Sequence, residues 1–253
     1  MTELWRYREL IGNLTAADLK NRYQNTVLGF LWSLLSPLLL ALVLYLVFRY
    51  MFGQGPDFPA YLLVGLMAWR FFASGTTSSL NIIVGKSSLV TKVYLPRQIL
   101  VLSNVLSVLI SSLLEFIVTI PILFIVLGKL PMTTFLFPSI FLIYFWFVYG
   151  ASLFLAAVYV YLRDLDQVWE VLVGALFFLS PVIYPLVQVT ENTMPFYLLN
   201  PLTEFMIMYR DVMIYGKLPS LYSLVITVAA SAAAFIVGNF TFNRLQRRFA
   251  EEI

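Results

Sequence analysis

Charge-poor, apolar runs alternate with short polar segments along the chain, at about residues 28–51, 60–84, 98–127, 134–160, 168–186 and 220–243. A helix rises ~1.5 Å per residue, so roughly 20 apolar residues cross a ~30 Å hydrocarbon layer. Lipid offers no partner for backbone N–H and C=O groups, and an open sheet leaves its edges unpaired, so each run is expected to be a helix. The pattern predicts an all-α membrane protein with six transmembrane helices.

The segment ahead of the first run has a different rhythm. Leu4, Trp5, Ile11, Leu14, Leu19 and Tyr23 recur at a loose helical spacing, with Arg6, Arg8, Glu9, Asp18, Lys20 and Arg22 between them. That describes an amphipathic helix lying in the membrane interface. Thr15 followed by Asp18 resembles a cap, so the segment reads as one helix or as two short ones. Residues 1–25 hold no apolar core of signal-peptide length, and no cleaved signal is expected.

The fifth run is interrupted. Pro181 and Pro185 in Ser180-Pro181-Val182-Ile183-Tyr184-Pro185 cannot continue a helical hydrogen-bond ladder. Residues 187–219 then form a long connection in which Phe196, Tyr197, Leu198 and Leu199 precede Asn200-Pro201 and an amphipathic run over 202–215. Short re-entrant helices in the outer leaflet are expected here. Broken backbone at membrane depth is tolerated only against protein or a watery cavity, so this region is expected to border a pathway. In the sixth run Ala230, Ala234 and Gly238 form a small-residue stripe suited to close helix packing.

Basic residues orient the runs. With the N-terminus inside, the cytoplasmic segments carry Arg6, Arg8, Lys20, Arg22, Lys86, Lys92, Arg97, Arg163, Arg244, Arg247 and Arg248, whereas the outer ones carry Lys129, Arg210 and Lys217. Arg49 and Arg70 fall in or at the ends of membrane runs. Positive residues stay on the cytoplasmic side, so both termini are expected there. The chain reads as a single domain over 1–253, with an interfacial segment at 1–25, the membrane region at 28–243 and a cytoplasmic tail at 244–253.

Composition narrows the chemistry. Of the 253 residues 61% are hydrophobic and 11% charged, against about 45–50% and 25% in soluble domains. The net charge of +3 is spread over loops rather than gathered on one face, and no nucleic-acid partner is expected. The absence of Cys and His removes thiolate nucleophiles, the commonest general base and the commonest metal ligands. Gly85-Lys86-Ser87 imitates the end of a phosphate-binding loop, but the required earlier glycine is Leu80, so no nucleotide site is expected. Asp164-x-Asp166 imitates a metal-holding carboxylate pair but sits in a tight loop beside Arg163, where local pairing is the simpler role. No catalytic residue, metal or cofactor is expected in this chain.

Two ionisable residues fall within membrane runs, at a cost of about 2.5 kcal/mol or more each unless compensated. Counted from the outer ends, Arg70 and Glu115 lie at a similar depth of ~15–18 Å. Either they pair between the second and third spans, or Arg70 faces an anionic substrate in a cavity. Aromatic residues make up 17% of the chain and serve as interfacial belts and packing. Trp32, Tyr45, Trp69, Phe177, Phe178 and Tyr184, with Arg70, are candidates for a substrate path, because aromatic faces can stack against sugar rings.

Leu28-Gly29-Phe30-Leu31-Trp32-Ser33-Leu34-Leu35-Ser36-Pro37 opens the first span, followed by Tyr94-Leu95-Pro96-Arg97, Tyr161-Leu162-Arg163-Asp164, Ser180-Pro181-Val182-Ile183-Tyr184 and Asn200-Pro201-Leu202. In this order, over nearly the whole chain, these segments resemble the permease subunits of ABC-2 type transporters that export O-antigens, capsules or teichoic acids. The resemblance implies a homodimer in the bacterial inner membrane, bound to two copies of a cytoplasmic ATPase that supplies ATP and Mg, and a lipid-linked polysaccharide as substrate. It implies ATPase coupling through Arg6, Arg8, Lys86, Lys92, Tyr94 and Arg97, a path along the first and fifth spans, and an outer gate at Pro181, Pro185, Asn200 and Pro201. Alternatives are an exporter of drugs or lipids with the same architecture, a membrane glycosyl or phosphoglycosyl transferase built on Asp164 and Asp166, and a passive channel.

Overall fold

The computed structural model describes residues 6–23, 31–52, 55, 57–92, 95–190 and 192–252, and every regular element among them is helical. The principal helices are α1 (Arg8–Tyr23), α2 (Leu31–Phe52), α3 (Phe58–Leu80), α4 (Gln98–Leu127), α5 (Phe137–Tyr159), α6 (Leu165–Leu179), α7 (Pro201–Arg210) and α8 (Leu221–Leu245). Their ends follow local chemistry. Pro59 and Pro138 sit in the first turns of α3 and α5, where a missing N–H costs nothing. The Ser220 hydroxyl accepts from the Ser223 N–H at 3.0 Å and starts α8. Two short helical turns, Ile82–Gly85 and Ser87–Lys92, join α3 to the segment before α4.

By length and composition, Gln98–Leu127, Met132–Tyr159 and Leu221–Arg248 can cross a membrane, and α2 carries a shorter apolar stretch, Leu35–Phe48. Helix α3 is 23 residues long, but Arg70, Thr76, Thr77, Ser78 and Ser79 dilute its second half. Its position accounts for this: Ala60, Leu62, Val64, Ala68 and Phe71 are fully buried, so α3 faces protein on most sides. Buried hydroxyls then need partners. Asn104 of α4 donates to Ser78 and Ser79 at 2.8 and 2.9 Å, and Trp169 of α6 donates to Thr76 at 3.2 Å. Helix α6 has only 15 residues, about 22 Å of rise, because Pro181 follows at once.

Apolar residues that remain exposed include Leu39, Leu42 and Val43 of α2, Ile117 and Ile125 of α4, Leu142 of α5, Val171 and Phe178 of α6, and Val225, Ile236 and Phe240 of α8. Faces of this extent are stable in lipid and not in water. The small-residue stripe of α8 is a packing device. Gly238 stands against the Gly150 carbonyl of α5, and a side chain at Gly150 would run into the backbone of Ala234 and Phe235. Neither helix accommodates a Cβ at this crossing.

Helix α1 is continuous across Thr15. The Thr15 hydroxyl turns back to the Ile11 carbonyl at 2.7 Å, the usual arrangement for a mid-helix threonine, and so does not cap a new helix. Its inward face runs through Leu14, Thr15 and Asp18 along the first half of α4, with Tyr23 donating to Ser111 at 2.8 Å. The chain therefore has a basic end, carrying α1 and the C-terminal tail, and a break end where α6 stops.

Candidate functional site

Where a helix stops inside a folded core, the buried carbonyls just past its end need donors from elsewhere. At the break end these are supplied from α7. Arg210, 3% exposed, donates to the carbonyls of Pro181 at 2.6 Å and Val182 at 2.8 Å, and reaches the Tyr61 carbonyl at 3.4 Å. Its guanidinium lies 3.4 Å from the centre of the Tyr61 ring, a cation–π contact. Gly65 leaves room for it, since a Cβ there would collide with both Arg210 and the Val182 carbonyl. The Tyr61 hydroxyl donates to the Tyr184 carbonyl at 2.7 Å. Asn200 joins the two halves: its amide donates to the Ser180 hydroxyl at 3.1 Å while its carbonyl oxygen caps α7 at the Leu202 N–H, 3.0 Å away. Of the four gate residues expected from sequence, Pro181 meets Arg210 through its carbonyl, while Asn200 and Pro201 stand at the opposite end of α7, where Asn200 holds Ser180. Pro185 lies further along, just ahead of the 3-10 turn Leu186–Gln188.

The second locus is a cleft of about 380 Å³ on the basic side. It is lined by Arg22 and Tyr23 from α1, Trp32 and Ser36 from α2, Arg70 and Ser74 from α3, and Ser111, Ser112 and Glu115 from α4. Arg70 Nη2 stands 3.4 Å from Glu115 Oε1. The contact is single and long. Arg70 Nε and Glu115 Oε2 have no hydrogen-bond partner, and the Arg70 side chain is 30% exposed to the cleft against 6% for Glu115. The two residues are brought together, and Arg70 also lines the cavity.

The third locus is the surface of the basic end. Lys86 Nζ is held between both carboxylate oxygens of Asp18, at 2.7 and 2.8 Å, tying α1 to the connection between α3 and α4. Arg97 is turned into the protein: it donates to the Gln246 carbonyl and stacks over Phe249 at 5.9 Å. The Tyr161 hydroxyl reaches the Leu245 carbonyl at 2.9 Å, and Phe249 is fully buried. The tail thus clasps the loops at this end. Arg6 and Lys92 are exposed, as is Arg8, and Tyr94 lies outside the described residues.

The aromatic candidates divide. Trp69 is buried and packs edge-on against Phe177 at 5.5 Å. Phe178 is 62% exposed and Trp32 51% exposed. Tyr184 bonds Tyr197 through its hydroxyl at 3.1 Å and, with Phe48, lines a shallow cleft of about 430 Å³ at the break end. Tyr45 packs against the core from α2. No single surface gathers all of them.

Asp18, Arg210 and Phe249 carry more of this geometry than the sequence suggested. Asp164 and Asp166 belong to the start of α6, where Asp166 accepts from the Gln167 N–H at 2.8 Å.

A family model described as "ABC-2 type transporter" matches residues 9–214. Among curated proteins, the O-antigen export system permease protein RfbA of Myxococcus xanthus is 32% identical over 258 residues, covering 99% of this chain and 98% of that protein. Two proteins of the same name from Klebsiella pneumoniae are each 30% identical over 249 residues, covering 96% of this chain and 94% of theirs.

Proposed function

This chain belongs to the ABC-2 type transporter family, and on that premise we propose that it is the permease of an ATP-driven exporter carrying a lipid-linked, O-antigen-like polysaccharide outward across the bacterial inner membrane. It is a multi-pass membrane protein and a transport subunit. The observation that carries the cargo assignment is similarity along almost the entire chain to permeases named for O-antigen export.

In this reading the six helices α2, α3, α4, α5, α6 and α8 span the membrane, α6 completing its crossing through the region after Pro181, and α7 re-enters from outside. The basic end is cytoplasmic and holds both termini, and residues 1–253 form one domain. Two copies pair, with two copies of a cytoplasmic ATPase beneath them supplying ATP and Mg. Helix α6 has no fully buried residue and α2 exposes Trp32, Leu39 and Val43, which supports the use of these two helices as movable walls of the path. Trp32, Tyr45, Trp69, Arg70, Phe177, Phe178 and Tyr184 line or border it. The Arg210 clamp sets the outer gate. The Asp18–Lys86 pair couples α1 to the connection that, with Arg6, Arg8, Lys92 and Tyr94, meets the ATPase, and Arg97 braces that surface from inside through the C-terminal tail.

Co-purification with a candidate ABC ATPase, then hydrolysis measured in lipid nanodiscs, tests this reading. A stable complex whose hydrolysis responds to lipid-linked glycan is expected. Lys86→Asp is expected to lower that response severalfold and the exchanged pair Asp18→Lys with Lys86→Asp to recover most of it. Failure of any ATPase to associate under gentle extraction contradicts the proposal.

A further inference from the structure

We infer that the cleft at Arg70 is a binding site for a phosphate-bearing head group, with Arg22 and Arg70 as its counter-charges. The inference rests on the export reading and names the part of the cargo held on the basic side. Two guanidinium groups line the cleft and one carboxylate opposes them, leaving one positive charge in excess. The pairing between Arg70 and Glu115 is a single contact at 3.4 Å, whereas a guanidinium is shaped for two parallel bonds to an oxyanion. The Arg70 side chain keeps 30% of its surface open, so an anion in the cleft can supply that pairing. Hydroxyls of Ser36, Ser74 and Ser112 also line the cleft, and these can donate to phosphate oxygens without adding charge.

The burial pattern gives the cleft a direction. Arg22, Trp32 and Ser36 are exposed and form the mouth, while Ser111, Ser112 and Glu115 are buried and form the floor. An arriving anion meets Arg22 first and then competes with Glu115 for Arg70. A volume near 380 Å³ suits a phosphate or diphosphate with an adjoining ring, not a polymer.

Binding of a polyprenyl diphosphate to the detergent-purified full chain, read by native mass spectrometry, tests the site without ATPase or polymer. Arg22→Gln alters only the exposed mouth. The double variant Arg70→Gln with Glu115→Gln removes both charges of the buried pair together and so keeps the fold. Each is expected to weaken binding about tenfold, the worth of one charge-assisted contact, at an unchanged melting temperature. Competition by inorganic diphosphate assigns the ligand to the bare anion, competition by phosphatidylglycerol to bilayer phosphates, and competition by neither to the prenyl carrier; all three keep the anion site. A site that takes phosphatidylglycerol but refuses the prenyl diphosphate keeps the inference and counts against the export reading. Binding within twofold of wild type in both variants overturns the inference and leaves the export reading standing.

Discussion

Replacing Arg210 by methionine is expected to lower the melting temperature in detergent by about 10 °C and to abolish export. The side chain serves the carbonyls of Pro181 and Val182, and a buried acceptor left without its donor costs about 1–3 kcal/mol. Two such losses, with the Tyr61 stacking, amount to about 3–5 kcal/mol, and at ~2–4 °C per kcal/mol for a chain of this size the shift follows. Lysine is expected to recover less than half of it, because an ammonium offers no planar pair of donors to two carbonyls. Gly65→Ala pushes on the same contact from α3 and is expected to have the same sign and a smaller size. Differential scanning fluorimetry of the three variants reads the order directly, and a Met variant melting within about 2 °C of wild type would remove the clamp from the account.

Arg70→Ala and Glu115→Ala are each expected to reduce the amount of folded protein recovered from membranes severalfold, because each leaves its partner's charge at membrane depth. Breaking a buried ion pair from one side costs about 3 kcal/mol or more. The exchanged double variant, Arg70→Glu with Glu115→Arg, is expected to return the yield close to wild type, since both side chains reach across the same gap between α3 and α4. Normal folding with lost export in Arg70→Ala alone would assign Arg70 to the cargo only. Size-exclusion profiles of the four proteins separate these results.

The helices themselves were legible in the sequence because a bilayer imposes a simple rule: an apolar run of span length has few ways to satisfy its backbone except as a helix. The interruption at Pro181 was legible for the same reason, as was the similar depth of Arg70 and Glu115. What local pattern does not carry is the identity of a distant partner. Asp18 falls between apolar positions in α1 and was read as part of the polar set, yet it turns inward because Lys86 is there. Arg210 counted as one more outer-loop charge. Its burial makes sense only with the orphaned carbonyls of the α6 break, brought to it by folding, and the pairing of that break with an arginine in an otherwise amphipathic run was the available signal. Phe249 sits in what the charge pattern marked as a plain basic tail, and its aromatic contacts with Phe242 and Tyr161 hold that tail against the bundle.

The division of labour among Trp69, Phe177 and Phe178 also lay beyond the sequence. All three are aromatic residues in membrane runs. Only the packing shows that Trp69 is enclosed while Phe178 points away from the core, and an exposed aromatic on α6 has a different physical role from one locked beneath it.

A permease that carries a lipid-linked polysaccharide outward leaves its cargo inside when it is lost. Deleting its gene and following the polymer tests this role most directly. Loss of surface polysaccharide with accumulation of lipid-linked polymer on the cytoplasmic face, reversed by the wild-type chain and not by Arg210→Met, is the result the account predicts. Surface polysaccharide at wild-type level in the deletion strain, or loss of polymer synthesis itself with no internal accumulation, would contradict it.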